Sequence, residues 1–204
     1  MRKTEVLRKR WKCFGPRPEV TPGFALWLGV LILVDPAELA PPFLLAAVLH
    51  ELGHLLALYL TGGAVSRFRL TALGAELETG LLLPGQTVLC AAAGPLANLL
   101  TAAACAQWSV RLCCCSLFLA VFNLLPVLPL DGGRILAAFC PLGAERISAV
   151  AGVLLLAAGI WMTLRHHIGL WPLLLLAVLL AKIAANRLRE EKLFANRAAG
   201  PYNK

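Results

Sequence analysis

Apolar residues run through this chain in long blocks with few breaks. They fill 42–60, 86–107, 147–164 and 170–185, while the charged residues collect between and outside these runs. Several blocks approach the roughly 20 residues a helix needs to cross a bilayer. The pattern predicts six spans. The first is short, about 23–34, and ends before Asp35 and Glu38. Pro41 and Pro42 open the second, and Thr61-Gly62-Gly63 stops it, glycine after the last apolar residue being a helix-end signal. The third covers about 86–107. The fourth, interrupted by prolines, runs from Leu112 to about Phe139. The fifth and sixth are about 147–164 and 170–185. The segment 64–84 breaks the helical rhythm. Its SRFRLTALGAELETG stretch alternates partly with period two about a central glycine, which predicts a β-hairpin. The expected fold is therefore an all-α polytopic membrane protein of about six transmembrane helices, with a small membrane-associated β-hairpin element.

Composition agrees with that pattern. Of 204 residues, 59% are hydrophobic and 15% charged, against about 45–50% and a quarter in soluble domains. The net charge of +8 sits mostly at the two ends. Arg2, Lys3, Arg8, Lys9, Arg10, Lys12 and Arg17 crowd one tail, and Lys182, Arg187, Arg189, Lys192 and Arg197 the other. Beside apolar spans such charge reads as topology rather than nucleic-acid binding. Six spans put both tails on one side, with Arg67, Arg69, Arg134 and Arg146. Arg111, Arg165 and the acidic 35–38 loop fall opposite. The expectation is an integral, multi-pass protein with both termini cytosolic. Its parts are a basic tail over 1–22, a six-helix unit over 23–185 and a second basic tail over 186–204. The seven cysteines include adjacent Cys113, Cys114 and Cys115 and no CxxC pair, so they read as small hydrophobes rather than ligands.

Charges inside apolar spans are costly, so each one points to function. Glu51 and Asp131 are the two acids so placed. Glu51 lies in His50-Glu51-Leu52-Gly53-His54, an HExxH sequence. On a helix its histidines stand at i and i+4 on one face, able to grip one metal ion, with Glu51 close enough to act as general base. Zinc lowers the pKa of a bound water to about 7 and usually takes a third protein ligand. Asp131 is the candidate. Pro126 and Pro129 break the helix before it, and Gly132 and Gly133 permit close backbone approach after it. It can equally cap the helix that starts near Gly132. Both constellations fall at similar depth, toward the cytosolic face. In the third span Gly94 and Pro95 would kink or thin the helix, and Asn98 follows one turn on. Its amide suits either an oxyanion or substrate contact, or an interhelical hydrogen bond in a small-residue seam.

Together these motifs resemble the site-2 protease family of intramembrane metallopeptidases, over about Val48 to Arg134. The resemblance implies one Zn2+ held by His50, His54 and Asp131, with Glu51 as base. Gly94-Pro95 with Asn98 is similar to the family's central-helix motif, and Asn123 and Pro126 to the residues before its aspartate. Asn98 and Asn123 would contact substrate or oxyanion. The six-span layout resembles the group containing stage IV sporulation protein FB, but without the CBS domain many of its members carry. The PDZ domain of the sigma-E-releasing branch is likewise not read here. The implied activity is regulated intramembrane proteolysis near the cytosolic face, releasing a sporulation sigma factor from its pro-form. The implied partners are a membrane-associated protein substrate, the lipid bilayer and an inhibitory membrane partner, with no nucleic acid. A zinc-binding transporter and a catalytically inactive adaptor are the rival readings. The 64–84 element would pair with an extended substrate strand.

Overall fold

Prolines set where three of the six described helices begin. A proline in the first helical turn loses no hydrogen bond, because the first amides of a helix have no intrahelical partner. In the computed structural model, which describes residues 19–33, 38–63, 65–71, 74–80 and 82–166, helix α1 opens at Pro22 and runs to Leu33. Helix α2 spans Ala40–Leu60 with prolines in its first turn, and α3 spans Pro84–Cys105. Helix α4, Val110–Asn123, is capped by Ser109, whose hydroxyl accepts from Leu112 N at 3.3 Å. Helices α5 (Asp131–Phe139) and α6 (Ala144–His166) complete the described chain.

Three of these helices are long and apolar enough to cross a membrane: Ala40–Leu60, Pro84–Cys105 and Ala144–Trp161. Helix α1 has 12 residues, about 18 Å at 1.5 Å per residue, and falls short of a ~30 Å core by itself. The sixth sequence-predicted span at 170–185 and the tail 186–204 lie outside the described residues, as does the N-terminal tail up to residue 18. The fourth expected span proves to be two helices. α4 ends at Asn123, residues 124–130 form turns, and α5 resumes at Asp131. Two prolines within four residues, Pro126 and Pro129, deny the helix its amide donors there.

The helices pack with their small and polar faces inward. On α2, Ala46, His50, Gly53 and Leu58 are buried, while Leu45, Val48, Leu52 and Leu56 are exposed. On α3, Ala91, Gly94, Asn98, Ala102 and Cys105 form the buried stripe, and Leu89, Leu96 and Leu100 face outward. Lipid tails are as apolar as leucine, so small residues that admit a neighbouring backbone mark the contact face. At Gly53 a Cβ atom would meet the Ala93 carbonyl at 2.6 Å and Ala97 Cβ at 2.9 Å. The closeness of α2 and α3 depends on that glycine.

The expected hairpin is a three-stranded sheet. β2 (Val65–Thr71) pairs antiparallel with β3 (Gly74–Thr79), and β1 (Glu19–Val20) lies parallel to β2 on its other side. So the end of the sequence-predicted tail is a strand. Thr21 secures it through its amide and its hydroxyl, both donating to the Leu70 carbonyl at 2.9 and 3.0 Å. The Glu19 carboxylate accepts from Arg67 and Arg69, each at 2.9 Å. These arginines, Arg67 foremost, hold the Glu19 carboxyl below its ordinary value. The sheet stands at the Leu60 end of α2. At the opposite end, Arg111 and Glu38 make an exposed ion pair of 2.9 Å.

A candidate metal centre between four helices

The two histidines come from the middle of one unbroken helix. His50 is the eleventh of the 21 residues of α2, and His54 stands one turn nearer the sheet. Their rings meet edge to face, 4.7 Å between centroids. What clears room for them is Gly94 on α3. A Cβ there would strike His54 Nε2, and would come within 2.5 Å of His54 Cε1 and 2.8 Å of His50 Cε1. The sequence predicted that Gly94 and Pro95 would kink or thin the third span, and α3 runs from Pro84 to Cys105 with Pro95 inside it. Here the glycine serves as clearance for two imidazoles.

The carboxylate arrives from the broken fourth span. Leu130 is the N-cap of α5 in an extended conformation, and Asp131 occupies the first turn, one position further into the helix than the capping role expected of it. Its side chain turns to the histidines. The turns over 124–130 fold back on α5, so a Cβ at Gly132 would meet the Leu125 carbonyl at 2.5 Å, and one at Gly133 the Leu128 amide at 2.5 Å. Non-helical backbone at membrane depth must be buried in protein or line a cavity. Val127 and Leu130 are indeed buried, packed against Phe122, Leu125, Ala151 and Leu155. The free Leu128 amide donates to the buried Ser148 hydroxyl of α6 at 2.8 Å.

His50, His54 and Asp131 converge. Asp131 Oδ2 is 3.1 Å from His50 Nε2 and 3.2 Å from His54 Nε2, and the two Nε2 atoms are 3.1 Å apart. Zinc takes ligands at about 2.0–2.1 Å in tetrahedral geometry, which sets neighbouring ligand atoms roughly 3.3 Å apart. The observed triangle is close to one face of that tetrahedron. The ring protons agree for His54, whose Nδ1–H donates to the Cys90 carbonyl at 2.7 Å, leaving its Nε2 lone pair for a cation. This donor set fits a zinc ion, and the three residues can hold one metal.

Over this triangle lies a cavity of about 410 Å³. Glu51, half-buried beside the ligands, lines it, as do Asn123, Pro129 and Arg134. Leu77, Thr79 and Gly80 bring the β3 end of the sheet to its rim. Asn123 Nδ2 donates to the Leu119 carbonyl at 2.9 Å, and Pro126 lies in the turn that follows. Asn98 is elsewhere. It is fully buried between the helices and does not line the cavity; its Nδ2 lies 3.2 Å from His50 Nδ1, the interhelical contact of the two alternatives left open above. Sequence reasoning missed the Cys90 carbonyl, a backbone group no residue type announces. It also missed Ser148, a polar residue near the start of α6. The six described cysteines are free thiols.

Comparison with known proteins agrees with this architecture. Residues 106–165 match the sequence profile of peptidase family M50, a stretch that includes Asp131 but stops short of the HExxH helix. No curated protein sequence matches the chain. Among solved structures, the site-2 protease from Methanocaldococcus jannaschii superposes with a TM-score of 0.59 at 23% identity, over 83% of this chain and 89% of that one. The chain thus has the fold of that site-2 protease, and its segment 106–165 carries the sequence signature of peptidase family M50.

Proposed function

We propose that this protein is an intramembrane zinc metalloprotease that hydrolyses a peptide bond in a membrane-associated protein. The observation that carries this reading is the triangle of His50 Nε2, His54 Nε2 and Asp131 Oδ2, with Glu51 beside it on the cavity wall. His50, His54 and Asp131 would hold the zinc. When bound, it supplies the Lewis acidity that makes hydroxide available near neutral pH. Glu51 takes the proton of the attacking water as the new C–O bond forms, and returns it to the amine as the C–N bond breaks. Asn123 stands in the cavity where it can hold the substrate carbonyl or the developing oxyanion.

Substrate presentation follows from the sheet. β1 and β3 flank β2, so among the described residues β3 keeps an outer edge, and its last residues border the cavity. An unwound substrate segment adding to that edge would run past the ligands. Arg67, Arg69 and Arg134 stand at this end, and the Glu38–Arg111 pair at the other, which supports a site facing the cytosol and cytosolic termini. A sporulation pro-sigma factor is the candidate substrate.

The test is co-expression with a pro-sigma factor, comparing the wild type with Glu51→Gln. Cleavage is expected from the wild type and a loss of about 10²–10⁴-fold from the variant, the usual contribution of a general base. Zinc should stay bound in both. Undiminished cleavage by the variant would remove Glu51 from the mechanism.

A further inference from the structure

Two imidazoles reach for the same point, and only one has a hydrogen-bond acceptor at its far nitrogen. His54 Nδ1–H has the Cys90 carbonyl at 2.7 Å. A histidine that ligates through Nε2 carries its proton on Nδ1, and that proton needs an acceptor fixing the tautomer and the ring. Among the described residues, the partner at His50 Nδ1 is the Asn98 side chain, with Nδ2 at 3.2 Å. An N–H group there would require His50 Nδ1 to accept, moving the ring proton to Nε2, the atom turned to Asp131. Meanwhile Asn98 Oδ1 is fully buried and has no hydrogen-bond partner among the described residues. A buried amide oxygen left without a donor costs on the order of 1–3 kcal/mol.

One half-turn of the carboxamide about its Cβ–Cγ bond, which exchanges two ends of nearly equal size, pairs Oδ1 with the His50 Nδ1–H and turns the NH2 group to the position Oδ1 held. We infer that Asn98 is a positioning residue for the metal site, its Oδ1 accepting the Nδ1–H of His50 and thereby holding the Nε2 lone pair toward the zinc. Asn98 then does for His50 what the Cys90 carbonyl does for His54, and α3 supplies both acceptors. The role acts through His50 alone, since Asn98 does not border the cavity.

The inference rests on the metalloprotease reading, and its test separates the two. Zinc affinity is measured by competition with a chromophoric chelator on the purified full chain carrying Glu51→Gln, then with Asn98→Asp or Asn98→Leu added. Aspartate keeps an acceptor of the same shape, while leucine keeps bulk without one. Asn98→Asp should bind zinc within about threefold of its parent, and Asn98→Leu about 10–100-fold more weakly. Equal affinity in parent and leucine variant overturns the inference, and so does an aspartate variant as weak as the leucine one. Should the leucine variant fail to fold, the aspartate variant decides alone: retained affinity supports the acceptor role, and a tenfold loss overturns it. A Glu51→Gln parent that binds no zinc overturns the metalloprotease reading and this inference with it.

Discussion

The three candidate metal ligands come from two helices built on opposite principles. α2 is unbroken over 21 residues and delivers two ligands from one face, because i and i+4 lie one above the other. The fourth span delivers one ligand and has to break to do so. Its 124–130 turns redirect the chain so that α5 begins with its first-turn carboxylate aimed at α2. A straight helix can supply ligands along a single line; a ligand from another direction needs an interruption, or another element. The interruption has consequences for packing. α2 rests on small-residue contacts, whereas the broken span needs a hydroxyl from α6, two glycines at close approach and a buried Val127–Leu130 cluster.

This contrast can be broken on either side. The larger effect is expected at α3, where Gly94 makes room for both imidazoles at once. Gly94→Ala should lower zinc affinity by on the order of 100-fold or more, since both rings must rotate away from the shared point. Unchanged helical content by circular dichroism would show that the fold survives. Near-native affinity would show that the rings do not depend on that clearance. A smaller effect belongs to the broken span. Ser148→Ala leaves the Leu128 amide without its acceptor, which should cost about 1–2 kcal/mol. A lower thermal midpoint and a few-fold weaker zinc affinity are expected, because the turns that aim Asp131 loosen. A variant matching the wild type in both would mean that the turns hold without the hydroxyl.

The same contrast explains what could be read from the sequence. The α2 ligands are written in five consecutive residues, His50 to His54, so helical spacing alone places both imidazoles. Asp131 is 81 residues from His50, yet its depth could be deduced by counting spans, because a bilayer restricts where a helix can run. Contacts made by backbone, or by chance of chain path, were not legible. The parallel pairing of Glu19–Val20 with β2 joins segments about 50 residues apart, with two residues too few to show any alternation. The Cys90 carbonyl has no residue signature. Gly94 was visible as a glycine, but what it clears depends on which face of α3 meets α2. Asn98 was visible as an amide, and both of its possible partners were chemically reasonable until the packing placed it against His50.

The most direct measurement is zinc stoichiometry in the purified Glu51→Gln protein with and without Asp131→Ala. The account predicts about one zinc per chain in the first and loss of tight binding in the second, because the third ligand comes from the broken span. A full equivalent of tightly bound zinc after removal of Asp131 would contradict it, since the metal would then be held without the helix break that brings that carboxylate to the histidines.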